Sequence, residues 1–140
     1  MPTFYKKCAA GVLTSKKIHV LCISGLDIAK GDTVTDINYS KYLPLSEATF
    51  YVMLALSQPM HGYAIMQKVD SMSAGSVTLG PGTLYGVFGT LEKQALIVKV
   101  AEEERRKVYA LTELGKVVLA EQVRRLEIML GNARALQHAA

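Results

Sequence analysis

Gly80-Pro81-Gly82-Thr83-Leu84-Tyr85 and Arg105-Arg106-Lys107-Val108-Tyr109-Ala110-Leu111-Thr112-Glu113-Leu114-Gly115 decide the fold when they are read together. The first opens a helix, because proline at the first helical position gives up an amide that would have no partner there anyway. The second reads as a basic hairpin tip, a strand and the start of another helix. Between them the pattern changes period. Leu84, Val87, Phe88 and Leu91 make the buried stripe of the helix. Gly82, Thr83, Tyr85, Gly86, Gly89, Thr90 and Lys93 fall on its exposed face. Ala95 to Ala101 is β-rich and alternates, which predicts a strand. Glu102 to Arg106 predicts a polar turn and Lys107 to Leu111 the returning strand, so three acids run into three bases around one hairpin.

Upstream, Ser46 is a good helix cap, its side-chain oxygen able to accept from a first-turn amide. Phe50, Met53, Leu54 and Ser57 follow at helical spacing, and Gln58-Pro59 ends that helix. A second short helix is expected from about Gly62 to Val69, burying Tyr63, Met66 and Val69. Ser71 to Leu79 reads as a turn or short strand. Downstream, Thr112 caps a last helix that runs to about Leu136. Leu119, Val123, Leu126, Leu130 and Ala133 follow in steps of four and three, the spacing of a coiled-coil seam, widened by Val118 and Met129. Glu121 and Arg125 are placed to pair one turn apart. Such a helix, ~36 Å long, outreaches the core that three short helices and a hairpin supply, so its seam needs a partner. Self-association meets that need. The fold class is therefore mainly α with a small β-hairpin wing, a helix-turn-helix order followed by a long C-terminal dimerisation helix.

Composition agrees with one globular domain and an arm: of 140 residues, 50 % are hydrophobic and 20 % charged. No apolar run approaches the ~18 residues of a membrane span. Lys16 and Lys17 precede an apolar stretch from Ile18 to Ile23, but it is too short for a signal peptide and Asp27 follows closely. Cys8 and Cys22 form no metal-binding spacing and read as ordinary thiols of a cytoplasmic protein. The net charge of +4 is misleading, since residues 1–42 contribute +3 of it and the rest of the chain only +1. An argument for nucleic acid must therefore rest on where the cations sit.

Residues 1–42 lack helical period and hold Gly11, Gly25 and Gly31 between short β-like runs. Two readings stand side by side. Lys30-Gly31-Asp32 could be a translated ribosome-binding sequence ahead of a start at Val34, or the segment is a genuine N-terminal arm.

In its order of elements, and in particular residues, the chain resembles the PadR family of transcriptional regulators over residues 43–136. The matching residues are Leu45, Leu54, Leu56, His61-Gly62-Tyr63, Gly82-Thr83-Leu84-Tyr85, Leu91-Glu92, Leu96-Ile97, and Lys107-Val108-Tyr109 through Leu111-Thr112-Glu113-Leu114-Gly115. The resemblance implies a winged helix-turn-helix DNA-binding domain over 43–112 and a dimerisation helix over 113–140. It further implies a third helix in the major groove of double-stranded operator DNA, a wing at the DNA backbone or minor groove, and in many members repression relieved by a small-molecule effector. Three positions depart from the family pattern. Gly86 stands where proline is common, Gly89 and Thr90 where bases are common, and Ala95 where glycine often precedes the first wing strand.

The candidate DNA-binding residues are Thr83 and Tyr85 at the start of the third helix, Lys93 at its end, and Arg105, Arg106 and Lys107 at the wing tip. Each has a plainer reading: Thr83 as a cap, Tyr85 as packing, the cations as solvated charge. The wing's acids and bases lie on opposite arms, so the two signs can face different ways. Leu119, Val123, Leu126 and Leu130 are the candidate dimerisation residues. His61 and Tyr63 read as structural. Nothing in the sequence supplies a catalytic set, a metal site or a cofactor motif, and Gly80-Pro81-Gly82-Thr83 lacks the lysine that ends a phosphate loop. The internal methionines read as core filler that could also line an effector pocket between the first and last helices. A winged-helix module for protein–protein contact, with weak or no DNA binding, is the alternative.

Overall fold

The structure, a computed structural model, describes residues 38–139, so the readings of Cys8, Cys22 and Lys30 to Val34 lie outside the described residues. A short turn of 3-10 helix at Tyr39–Lys41 leads in, and Tyr39, Tyr42, Leu43 and Leu45 pack partly buried against the core. Helix α1 (Glu47–Ala55) begins where expected: the Ser46 hydroxyl accepts from the Thr49 N–H at 3.2 Å. Its buried face is Val52, Met53 and Ala55, whereas Phe50 and Leu54 are only half-buried. The expected stripe is therefore corrected. Apolar residues surround this helix, so spacing alone does not choose the face that goes inward.

Strand β1 (Met60–His61) is two residues long and runs straight into α2 (Gly62–Met72). The His61 Nδ1 accepts from the Ala64 N–H at 3.3 Å and so caps α2. Ile65 and Val69, one turn apart, are fully buried. Tyr63 is 61 % exposed, which overturns its expected burial. It precedes Ile65 by two residues, about 200° round the helix, and so lies on the opposite face.

Helix α3 (Pro81–Lys93) buries Leu84, Phe88 and Leu91, with Pro81 in its first turn. It stops by a backbone device. The Leu96 N–H donates to Leu91 O at 2.9 Å and the Ala95 N–H to Glu92 O at 3.0 Å, while Ala95 takes a left-handed φ of +56°. These are the two hydrogen bonds of a Schellman cap, and its usual apolar contact is made by Leu91 and Leu96, both buried. The cap turns the chain directly into β2 (Ile97–Glu103), which pairs with β3 (Arg106–Leu111). The antiparallel sheet has the order β1-β3-β2, with Met60 opposite Tyr109 and His61 opposite Val108. The turn between β2 and β3 is narrower than expected. Only Glu104 and Arg105 form it, with φ of +46° and +65°. Two consecutive left-handed residues match the twist of a tight hairpin.

Helix α4 (Glu113–Ala139) starts at Thr112, whose hydroxyl accepts from the Gly115 N–H at 3.0 Å and donates to Ala95 O at 2.6 Å. Its first turns close the core through Val118, Leu119 and Ala120. The buried Gln122 Oε1 accepts from the Leu45 N–H at 3.0 Å, which ties the lead-in segment to α4. Past that residue the helix leaves the core. The expected Glu121–Arg125 pair is replaced by a two-pronged Glu121–Arg124 pair, with the shortest contact 2.6 Å. None of the described helices is long and apolar enough to cross a membrane.

Candidate nucleic-acid interface

Three elements meet at the end of α3 that Pro81 begins. β1 pairs with β3, so the N-terminal end of α2 is tied to the wing formed by β2 and β3. Phe88 of α3 stacks on Tyr109 of β3 with ring centroids 4.5 Å apart, and Tyr85 meets Phe88 edge-on at 6.1 Å. Gly62 brings α2 close to α3, since a Cβ there would lie 3.2 Å from Leu84 Cδ2. Between these parts lies a groove of about 470 Å³, lined by His61, Gly62, Tyr63, Tyr85, Phe88, Arg105, Arg106, Lys107 and Tyr109.

The expected residues separate on this geometry. Tyr85, 62 % exposed, lines the groove together with Arg105, Arg106 and Lys107. Thr83 is exposed in the first turn of α3 and Lys93 is exposed at its far end, both outside the groove. Thr83 is not the helix cap either, because that position belongs to Gly80, which offers no side-chain hydrogen bond. Lys93 stands roughly 18 Å along the helix from Pro81. It cannot act at the same spot as the wing.

The wing's acids and bases sit on opposite arms but side by side in the ladder. Glu102 lies opposite Lys107 and Glu103 opposite Arg106, and directly opposite residues share a face of the sheet. Glu102 also bonds Lys99 at 3.2 Å. Even so, the three bases line the groove and the three acids do not. Burial, then Glu92, then Tyr85 hold the pKa of the Tyr109 hydroxyl above its ordinary value. Tyr63 was missed from the sequence as a surface residue. Its two-residue offset from Ile65 was the signal that could have found it.

The other candidate set divides as well. Leu119 is buried in the chain's own core, Val123 and Leu126 are half-buried, and Leu130 is 49 % exposed. Ile128, Met129 and Leu136 are also exposed on this half of α4. Of the methionines, Met53 is sealed in the core and Met129 stands on the projecting part of α4.

Comparison with known proteins extends this picture. Residues 45–121 match the transcriptional regulator PadR-like family. The chain is 36 % identical over 75 residues to "uncharacterized protein X" of Lysinibacillus sphaericus, covering 51 % of this chain and 69 % of that one. It is 32 % identical over 87 residues to an uncharacterized 37.1 kDa protein in transposon TN4556 of Streptomyces fradiae, covering 61 % and 25 %. With transcriptional regulator YqjI of Escherichia coli K12 it shares 33 % identity over 69 residues, covering 49 % and 33 %. The match thus spans only a quarter to a third of these last two relatives. Among solved structures, a PadR-like transcription factor from Bacteroides fragilis superposes with a TM-score of 0.53 at 25 % identity, over 66 % of this chain and 88 % of that one. A transcriptional regulator from Clostridium thermocellum gives 0.54 at 23 % identity, over 64 % and 90 %.

Proposed function

The chain belongs to the transcriptional regulator PadR-like family, and from that membership we propose that it is a dimeric, sequence-specific DNA-binding regulator, a cytoplasmic repressor released from its operator by a small molecule. The observation that carries the proposal is that Tyr85 of α3 and the three cations of the wing line one groove. In this reading the exposed face of α3, with Thr83 and Tyr85, lies in the major groove and Arg105, Arg106 and Lys107 hold the flanking phosphates. Phosphate contacts set register and base contacts set sequence, so the two parts do separate work. The two-fold partner of an operator is supplied by a second copy joined along α4 through Val123, Leu126 and Leu130. At 27 residues α4 is ~40 Å long. The apolar side chains on its projecting half are what a second copy would cover.

One observation favours the protein–protein alternative. Lys93 is the single cation on α3, and Gly89 and Thr90 stand where the resemblance leads one to expect basic residues. Fluorescence anisotropy on DNA from upstream of the chain's own gene separates the readings, with random DNA as competitor and two salt concentrations. A regulator binds tightly, survives the competitor and loses affinity as salt rises, because each neutralised phosphate contributes about one unit of log–log slope. Binding without preference for that DNA, or none, refutes its role as operator. The same assay then serves to screen for the effector.

A further inference from the structure

We propose that the groove between α2, α3 and the wing is a seat for a free nucleoside phosphate, its base against the tyrosine rings and its phosphate on the wing cations. The inference deepens the DNA-reading proposal and rests on it for its regulatory consequence. At about 470 Å³ the groove falls within the range of small-molecule sites, roughly 300–1,000 Å³. Its two sides differ chemically. Tyr63 and Tyr85 leave 61 % and 62 % of their surfaces in water, beside the buried Phe88 and Tyr109, whose rings lie 4.5 Å apart at 39°. Flat rings of this kind accept any base, and a stacked base raises affinity roughly 5- to 150-fold. The wing contributes Arg105, Arg106 and Lys107 to the lining, while Glu103 and Glu102, opposite Arg106 and Lys107 in the ladder, are outside it.

Guanidinium forks match phosphate oxygens in geometry as well as charge. Three cations also favour a doubly charged phosphate over a single carboxylate. The Tyr63 hydroxyl accepts from Gln67 Nε2 at 3.2 Å, so its own proton is not used in that bond. Gly62 puts no side chain into the space, and a Cβ there would already press on Leu84. Base-plus-phosphate chemistry comes from a free nucleotide or from a DNA strand. Because both use one surface, a bound nucleotide excludes the operator.

Titration of the full chain with adenosine 5′-monophosphate, without DNA, tests the seat directly. Adenosine and inorganic phosphate form separate arms. The monophosphate should bind at least ~10-fold more tightly than either. Tyr63→Ser and Arg106→Gln, both at exposed positions, should each weaken it at least ~5-fold. Arg134→Gln, on the projecting part of α4, should leave it unchanged. A monophosphate no tighter than inorganic phosphate, or a preference that survives both groove variants, overturns the proposal. In a second arm the monophosphate should raise the apparent Kd for operator DNA in proportion to its concentration. Nucleotide binding with no displacement of bound DNA overturns the shared surface. A chain that binds the monophosphate in this pattern but no DNA refutes the regulator and keeps the seat. One that binds operator DNA but not the monophosphate does the reverse.

Discussion

Ala95 occupies a left-handed backbone position, φ +56°, in the cap that turns α3 into the wing. An L-residue there costs roughly 1–2 kcal/mol through its Cβ, and glycine would give back about 0.4–1 kcal/mol in unfolded-state entropy. The first effect is larger, so Ala95→Gly should stabilise the chain by about 0.5–1 kcal/mol, seen as a Tm several degrees higher. No gain would mean that the left-handed cap is wrong. Gly115 presents the opposite case. A Cβ built there would overlap the Leu96 carbonyl oxygen and sit 3.3 Å from Leu111 Cδ2. Leu96 is held by its own hydrogen bonds to Leu91 and Thr112, so it cannot retreat cheaply. Gly115→Ala should therefore cost about 3 kcal/mol or more. Thermal melting checks this, and a loss below about 1 kcal/mol would contradict the contact. The run Leu111-Thr112-Glu113-Leu114-Gly115 thus acquires a physical reason. Thr112 caps α4 and grips Ala95, and Gly115 lets the helix backbone lie against the end of α3.

At the scale of elements the wing and α3 make separable contributions to the proposed reading. Arg105→Ala with Arg106→Ala should weaken binding to every DNA sequence and flatten the salt slope by up to about two units. Replacing Tyr85 by Phe or Ala should lower affinity for the operator more than for random DNA. Anisotropy titrations over a salt series measure both. A wild-type slope in the double variant would remove the wing from the interface. The hairpin itself was legible because three signals agreed: β-rich runs, a polar turn and the change from helical to alternating period. Its exact turn was not, since Glu104 and Arg105 are poor advertisements for left-handed φ. The ladder of Glu102 with Lys107 and Glu103 with Arg106 follows from that turn. Register cannot be read until the turn is known. The two signs keep to opposite arms, but the ladder sets Glu102 beside Lys107 and Glu103 beside Arg106, and only the bases line the groove.

For the whole molecule the decisive feature is that α4 is half core and half projection. Leu119 serves the folding of the single chain, so substituting it would report on stability as much as on association. Leu126 lies beyond the buried stretch and is only half-covered. Leu126→Asp should produce monomers and abolish operator binding together, because a lone half-site contact forfeits the second half's affinity. Sedimentation and anisotropy on the same preparation check the link. A Leu126→Asp protein that remains a dimer would refute the seam.

Taken alone, the sequence determined the number and order of helices after residue 46, the starts at Ser46, Pro81 and Thr112, and the position of the hairpin. Those are local decisions: a cap, a proline or a change of period acts within one turn of chain. Only the tertiary structure decided which residues share the groove. Met60 and His61 became a strand because β3 offered them a free edge, and Tyr63 turned outward because Ile65 and Val69 were taken inside. Lys93 fell outside the groove because one helix cannot present both of its ends to the same wing, and Thr83 because it lies about 200° round α3 from Tyr85. Leu119 left the expected seam because α4 first had to close the core. Spacing along a chain shows which side chains share a face. What that face meets depends on residues as far apart as Leu45 and Gln122, joined only after folding.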